Sequence, residues 1–211
     1  MLTLGAIVYR DFELLDLYGP LEMFGTVLDQ SGEPAVRIVT VAETPGPVES
    51  AQGPQTVATY GFADAPDLDL LLLPGGIGTL PALTNQPLLD FLVERSAGAR
   101  VTMSVCSGSA ILARAGLLDG RRATSNKMFF SLATTQSDRV DWVENARWVV
   151  DGSIVTSSGV SAGIDMSLAV IETLFSTTQA EQVAAFTEYQ WHRDADSDPF
   201  ATYLNQGPTL A

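Results

Sequence analysis

Short, continuously apolar runs alternate along this chain with stretches whose apolar residues recur at helical spacing. Leu4 to Tyr9, Val36 to Val41, Leu68 to Leu73 and Val101 to Val105 are bounded by Gly, Pro and Asp. Continuous rather than alternating apolarity predicts strands buried on both faces. Gly19-Pro20 ahead of Leu21, Met23 and Phe24 predicts a helix start, because proline at the first helical position lacks only an N–H that would be orphaned anyway. That helix is expected to run to about Gln30. Gln86-Pro87 predicts a second, buried through Leu88, Leu89, Phe91 and Leu92. Ala162 to Phe175 and Gln179 to Trp191 predict two more. Asp151-Gly152, between Ala146 to Val150 and Ser153 to Ser157, is a hairpin signal. Strand and helix in alternation predict βαβ units, hence an α/β fold on a mostly parallel sheet. No repeat, low-complexity tract or linker interrupts the 211 residues, so residues 1–211 are read as one domain. The tail 194–211, with two prolines and several acids, is expected to lie across the surface or fray.

Charge removes several function classes. Against 25 acidic residues stand 11 basic ones, a formal net charge of −14, which repels both a phosphate backbone and an anionic membrane surface. Nucleic acid and membrane are therefore not expected as partners. A single cysteine excludes an intrachain disulfide, and Met1-Leu2-Thr3-Leu4 has no basic n-region, so the expected setting is a reducing, cytoplasmic one. Apolar stretches such as Leu70 to Leu73 are too short to cross a bilayer. One Cys and one His make no metal-ligand cluster, and neither metal nor cofactor is expected.

The candidate chemistry centres on Cys106. In Val101-Thr102-Met103-Ser104-Val105-Cys106-Ser107-Gly108-Ser109-Ala110 an apolar strand runs into the cysteine, then small residues, then helical spacing. Such a sharp strand-to-helix turn holds a side chain at the carboxyl edge of the sheet, where open α/β folds place ligands. A helix N-terminus there favours thiolate over thiol, so position itself is expected to activate the sulfur. The plainer alternative is an ordinary buried cysteine. Gly75 and Gly76 follow another buried strand and offer backbone amides that can approach a reacting atom, unless they form a simple turn. Asp16, a lone acid in Leu14-Leu15-Asp16-Leu17-Tyr18, is either a cap or a buried carboxyl whose raised pKa suits proton transfer to and from the sulfur. His192, followed by a charged tail, is a poor base for the cysteine. Phe24, Phe129, Phe130, Trp142 and Trp148 are candidates for a pocket, though aromatics at such spacing are more often core.

Together these residues resemble the ThiJ/PfpI superfamily, which shares the class I glutamine-amidotransferase-like fold. The resemblance runs from Leu4 to about Phe200. It rests on Leu15-Asp16-Leu17-Tyr18-Gly19-Pro20-Leu21-Glu22, Pro74-Gly75-Gly76, Val105-Cys106-Ser107-Gly108-Ser109, Ala115-Gly116-Leu117-Leu118-Asp119-Gly120-Arg121-Arg122-Ala123-Thr124 and Ser158-Gly159-Val160-Ser161-Ala162-Gly163-Ile164-Asp165. It implies a three-layer α/β/α sandwich of flavodoxin-like kind, a homodimer with its site near the interface, and a small-molecule substrate. The acid segment, the cysteine turn and the Ala-Gly-Ile-Asp segment are most similar to isocyanide hydratases. That likeness implies Cys106 as nucleophile, Asp16 as proton donor and acceptor, Ser107 as a neighbouring polar contact, and Gly75, Gly76 and Val160 as pocket-lining backbone. The sequence also departs from its relatives. Ser107 stands where protease-like members carry His, and Asn126 follows Ala123-Thr124-Ser125 where glyoxalase-like members and many hydratases have a histidine. A local Cys–His pair is thus missing, which lowers protease, amidase and glyoxalase readings and counts somewhat against the hydratase one too.

The expected activity is hydration of an isocyanide to an N-substituted formamide through a thioimidate on Cys106. The rivals are a glyoxalase or deglycase acting on small dicarbonyls, and a non-catalytic, oxidation-sensing dimer in which Cys106 becomes a sulfinate. A DNA-binding regulator is the least attractive, given the chain's length and charge.

Overall fold

The computed structural model describes residues 1–207. The first apolar run is strand β1, Leu2–Ile7, followed by helix α1, Leu14–Gly25, and strand β2, Val36–Ala42. Then come β3 (Gly46–Glu49), β4 (Gln55–Ala58), β5 (Tyr60–Gly61) and the four consecutive leucines of β6 (Leu70–Leu73). Helices α2 (Thr79–Ala82) and α3 (Gln86–Gly98) lead to β7 (Val101–Ser104), α4 (Gly108–Arg114), β8 (Arg122–Ala123), α5 (Phe130–Thr134) and β9 (Asp141–Trp142). The hairpin β10 (Trp148–Asp151) and β11 (Ile154–Ser157) precedes α6 (Ala162–Leu174) and α7 (Thr177–Phe186).

Seven strands form one sheet in the order β10-β11-β7-β6-β1-β2-β5. Its neighbours are parallel except β10, which pairs antiparallel with β11 across the Asp151-Gly152 turn, as that dipeptide predicts. Two hydrophobic clusters cover the faces. One joins Leu17, Phe24, Ile164, Leu168 and Val183 of α1, α6 and α7 to Leu4, Ala6, Leu70 and Leu72. The other joins Leu88, Phe91, Leu92, Ile111 and Leu112 of α3 and α4 to Ile7, Leu71 and Leu73. Alternate residues of β6 therefore enter opposite cores, which is why the run is leucine throughout. The result is the expected three-layer α/β/α sandwich.

Two helices depart from expectation, and for the tail one of the two alternatives holds. α1 begins at Leu14, not at Gly19-Pro20, and ends at Gly25 rather than near Gln30, with Pro20 inside it. An internal proline costs a helix about 3 kcal/mol. Here the buried stripe Asp16, Leu17, Pro20, Leu21 and Phe24 outweighs that cost, since most helical stability comes from tertiary packing. α7 stops at Phe186, well short of Trp191. The tail, in its described part, does not fray. Arg147 and Asp198 donate backbone N–H groups to Ala195 and Asn145 carbonyls, and Asn205 and Gly207 donate to Lys127 and Met128. Asp198 is buried against Arg147 and Lys127. Two buried cations drew in a tail carboxylate, a contact that local sequence patterns do not encode. Residues 208–211 of the tail lie outside the described residues. No helix among the described residues is long and apolar enough to cross a membrane.

Candidate active site

Four neighbouring strands, β11, β7, β6 and β1, deliver the site. Their carboxyl ends lie side by side beneath the segments carrying Ser158 to Val160, Cys106, Gly75-Gly76 and, through α1, Asp16. Cys106 sits between β7 and α4 at φ 59°, a left-handed conformation that a residue with a Cβ adopts at a cost of about 1–2 kcal/mol. Its backbone is held at both ends. The N–H donates to the Ser158 carbonyl at 3.2 Å, and the carbonyl accepts from Ser109 Oγ at 3.2 Å and Ser125 Oγ at 3.1 Å. A strained residue so fastened is typical of functional sites. The bend needs bare backbone opposite it: a Cβ on Gly75 would meet Ser107 Oγ at 2.5 Å and Ser107 N at 2.6 Å.

Asp16, in the first turn of α1, is fully buried. Its Oδ2 accepts from the Gly75 N–H at 2.9 Å, while Oδ1 has no hydrogen-bond partner. Burial pushes this carboxyl well above the usual range, against the pull of the Gly75 N–H and of the Cys106 thiol beside it. An orphaned, buried carboxylate oxygen is costly unless it takes a proton or a ligand.

The sulfur overturns one expectation. Position alone does not acidify it: burial, and then the negative field of Asp16, push the Cys106 thiol well up. α4 has only seven residues, and the favourable contacts, from the Ser107 N–H, the Asn126 amide and the Ser107 hydroxyl, are the smaller influences. Asp16 and Cys106 thus form a coupled pair. When Asp16 holds a proton its repulsion of a thiolate vanishes, which leaves burial as the main influence that raises the thiol.

Gly75 and Gly76 are beside the elbow, but their amides are taken. Gly75 N–H holds Asp16, and Gly76 N–H donates to Ser107 Oγ at 3.1 Å. Neither is free to receive an oxyanion. Ser107 Oγ also bonds Thr79 Oγ1 at 2.9 Å, and Thr79 lies 3.3 Å from Tyr9 OH, which donates to the Pro74 carbonyl. Burial, with the charges of Asp16 and Cys106 adding to it, pushes the Tyr9 phenol up. Tyr9 belongs to the first apolar run and nothing in its spacing marked it.

The largest omission is Asn126. Its Nδ2 donates to Cys106 Sγ at 3.1 Å while its Oδ1 accepts from the Phe129 N–H at 3.1 Å. Gly159 makes room for this contact, because a Cβ there would overlap the Asn126 amide and come within 3.1 Å of Cys106 Sγ. The signal was present as a departure from the family pattern, and the amide occupies that place as a sulfur ligand. His192 is elsewhere: its Nε2 lies 3.0 Å from the Ser197 carbonyl and its N–H donates to Asp165.

A cavity of about 290 Å³ opens here, lined by Asn126, Ser158, Gly159 and Val160 together with Leu15, Met128, Ser161, Lys127 and Phe200. Asn126 and Ser158 touch Cys106 directly. None of the five candidate aromatics lines it, in keeping with the expectation that such residues are more often core. Phe24, Phe130 and Trp148 are core, Phe130 stacks edge-on with Trp142, and Phe129 is half exposed. Neither this cavity nor a larger cleft of about 530 Å³ around Tyr9, Glu43 and Pro47 includes Cys106 or Asp16 in its lining; the smaller one reaches the sulfur through Asn126 and Gly159. Among the described residues no cluster of three or more His, Cys, Asp or Glu is placed to hold a metal ion.

A buried thiol on a strained elbow, faced by a buried carboxyl at the carboxyl edge of a flavodoxin-like sheet, defines a class, and the DJ-1/PfpI family model matches residues 6–173. The chain belongs to the DJ-1/PfpI family. It is similar to the isonitrile hydratase of Pseudomonas putida, 34% identical over 89% of this chain and 78% of that protein. The crystal structure of a ThiJ/PfpI family protein from Pseudomonas syringae superposes with TM-score 0.78 at 37% identity, covering 94% of this chain and 76% of that one. The transcriptional regulator GbdR of Pseudomonas aeruginosa is 28% identical over 80% of this chain, which spans 46% of the regulator. The family thus includes regulators beside enzymes, and membership alone does not assign an activity.

Proposed function

We propose that this chain is a cysteine-dependent hydratase that adds water to an isocyanide, with Cys106 as nucleophile and Asp16 as acid and base. The observation that carries the reading is the unpartnered, buried Oδ1 of Asp16 coupled to a buried thiol. The likeness to an isonitrile hydratase over most of the chain supports it.

The reacting form is the one in which the pair holds a single proton, on Asp16, beside a thiolate. Sulfur's lone pair forms a C–S bond to the terminal isocyanide carbon as Asp16 delivers that proton to the same carbon, giving a neutral thioimidate. Asp16, now a carboxylate, takes a proton from water as the water oxygen bonds to the carbon, and passes it to nitrogen. The hydroxyl proton then returns to Asp16 as the C–S bond breaks, its electron pair leaving with sulfur and the formamide departing. One group must serve as acid, then base, which a carboxyl with a raised pKa does well. The Ser107 N–H and the Asn126 amide stabilise sulfur whenever it is anionic. Ser107, Gly75 and Gly76 shape the elbow, and Val160 lines the cavity. Half-exposed Leu15 and Tyr18 on α1 support the reading as a homodimer, and a reactive thiol suits the cytoplasm.

The test is formamide formation from several alkyl and aryl isocyanides, lost in Cys106→Ala. If protein with an intact thiol makes none, the reading fails. Lactate from methylglyoxal, lost in Cys106→Ser, would instead favour a glyoxalase.

A further inference from the structure

We propose that Phe200 is the wall that sets the size of the substituent admitted beside Cys106, and that the group it selects is compact, uncharged and apolar. The proposal rests on the hydratase reading only for the identity of the reacting carbon.

Cys106 is not itself in the lining of the cavity, which meets the sulfur through two of its lining residues. Asn126 and Gly159 stand at the sulfur, while Leu15, Met128, Val160 and Phe200 supply apolar surface. Of these, Phe200 comes from the tail, and its place is enforced. Its N–H donates to Asp198 Oδ1 at 3.0 Å. Asp198 is buried, lies 3.4 Å from Arg147 Nη1 and 3.8 Å from Lys127 Nζ, and is joined to the Asn145 carbonyl through its own N–H at 2.8 Å. Beyond Phe200 the tail is fastened again: Asn205 donates to the Lys127 carbonyl at 2.8 Å and accepts from the Ser131 N–H at 2.7 Å. The backbone that carries the half-exposed Phe200 ring is therefore strapped to the same segment, residues 126–131, that carries the amide touching sulfur.

Charge and volume define what fits. Lys127 is the only ionisable residue in the lining, and its ammonium is engaged by Thr124 Oγ1 at 2.8 Å and the Ala146 carbonyl at 2.7 Å. A charged substituent would lose water without gaining a counter-ion. A volume of about 290 Å³ lies at the small end of ligand sites, which begin at roughly 300 Å³.

Because the chain has one cysteine, alkylation reads this wall directly and without turnover. The rates of Cys106 labelling by iodoacetamide and by the bulkier iodoacetanilide are compared, in alkaline buffer, for the native chain, Phe200→Ala and Phe200→Trp. The ratio of bulky to small reagent is expected to rise on the order of tenfold in Phe200→Ala and to fall in Phe200→Trp. An equal ratio in all three proteins overturns the proposal. So does failure of both reagents in all three, since the thiol would then not open onto this cavity. Absence of formamide from isocyanides would fail the hydratase reading while leaving the ratio to judge the wall.

Discussion

Gly159→Ala tests whether the Asn126 amide supports the sulfur. A Cβ at residue 159 falls 3.0 Å from Asn126 Cγ, 3.1 Å from Cys106 Sγ and inside contact distance of Asn126 Nδ2. The amide must retreat, and its Oδ1, held by the Phe129 N–H at 3.1 Å, makes rotation away from sulfur the available motion. The 3.1 Å bond to Sγ is then lost. A hydrogen bond to a charged group contributes about 1.5–3 kcal/mol, which is on the order of 10- to 100-fold in any step that needs the thiolate. The Asn126 amide is one of the influences that lower the thiol's pKa, so its loss moves the alkylation profile of Cys106 to higher pH. Isocyanide turnover, measured as kcat/KM, is expected to fall with it. Asn126→Ala removes the amide without a clash, and a double-mutant cycle joins the two. Once Asn126 is truncated, Gly159→Ala is expected to cost little more. If it costs as much in that background as in the native chain, the loss comes from distortion elsewhere and the amide has no such role.

Asp16→Asn keeps the shape and removes the proton carrier. Turnover is expected to drop about 10²- to 10⁴-fold while the thiol titrates lower than in the native chain, because the anion that adds to the effect of burial is gone. Thiolate absorbance against pH reads this, and a thiol that titrates higher would contradict the coupled pair. Burial lowers Lys127 from 10.5 to about 8. Between those values the unfolded chain binds more protons than the folded one, so the native chain gains stability relative to Lys127→Met as pH rises through that window. Below about 8 the difference is flat; urea midpoints taken across the window would expose an opposite slope. Asp198→Ala takes from Lys127 its buried counter-ion, while Arg147 keeps Asp165 at 2.7 Å, and is expected to cost about 3 kcal/mol in urea unfolding. A loss under about 1 kcal/mol would mean that the tail carboxylate is solvated in solution.

How far the sequence could be read depended on the range of the interactions involved. The strands carrying the site were legible because their signal is local: Leu70 to Leu73 must be buried on both faces, and the Asp151-Gly152 turn fixes a hairpin by its own geometry. The start of α1 was misplaced because Pro20 is a strong local signal overruled by a distant one. A Cβ on Gly19 would meet Ile164 Cγ1 at 2.8 Å, so α1 packs closely on α6, and the buried stripe that begins at Asp16 and Leu17 lies ahead of the proline. Cys106 and Asp16 could be named from residue type and position, yet the state of the sulfur could not. It follows from a balance between burial and a carboxylate brought from another strand end, and no run of residues around the cysteine contains that balance. The same holds for Phe200, which enters the cavity because Asp198 neutralises cations about fifty and seventy residues away along the chain. Asn126 shows the converse. As a missing histidine it argued against chemistry, whereas its amide, 3.1 Å from the sulfur, supplies an uncharged donor to a thiolate without competing for the proton that Asp16 must carry. A histidine there would offer the pair a second base. With asparagine, proton transfer in the proposed mechanism has one carrier, and that places Asp16→Asn toward the upper end of the expected loss of about 10²- to 10⁴-fold.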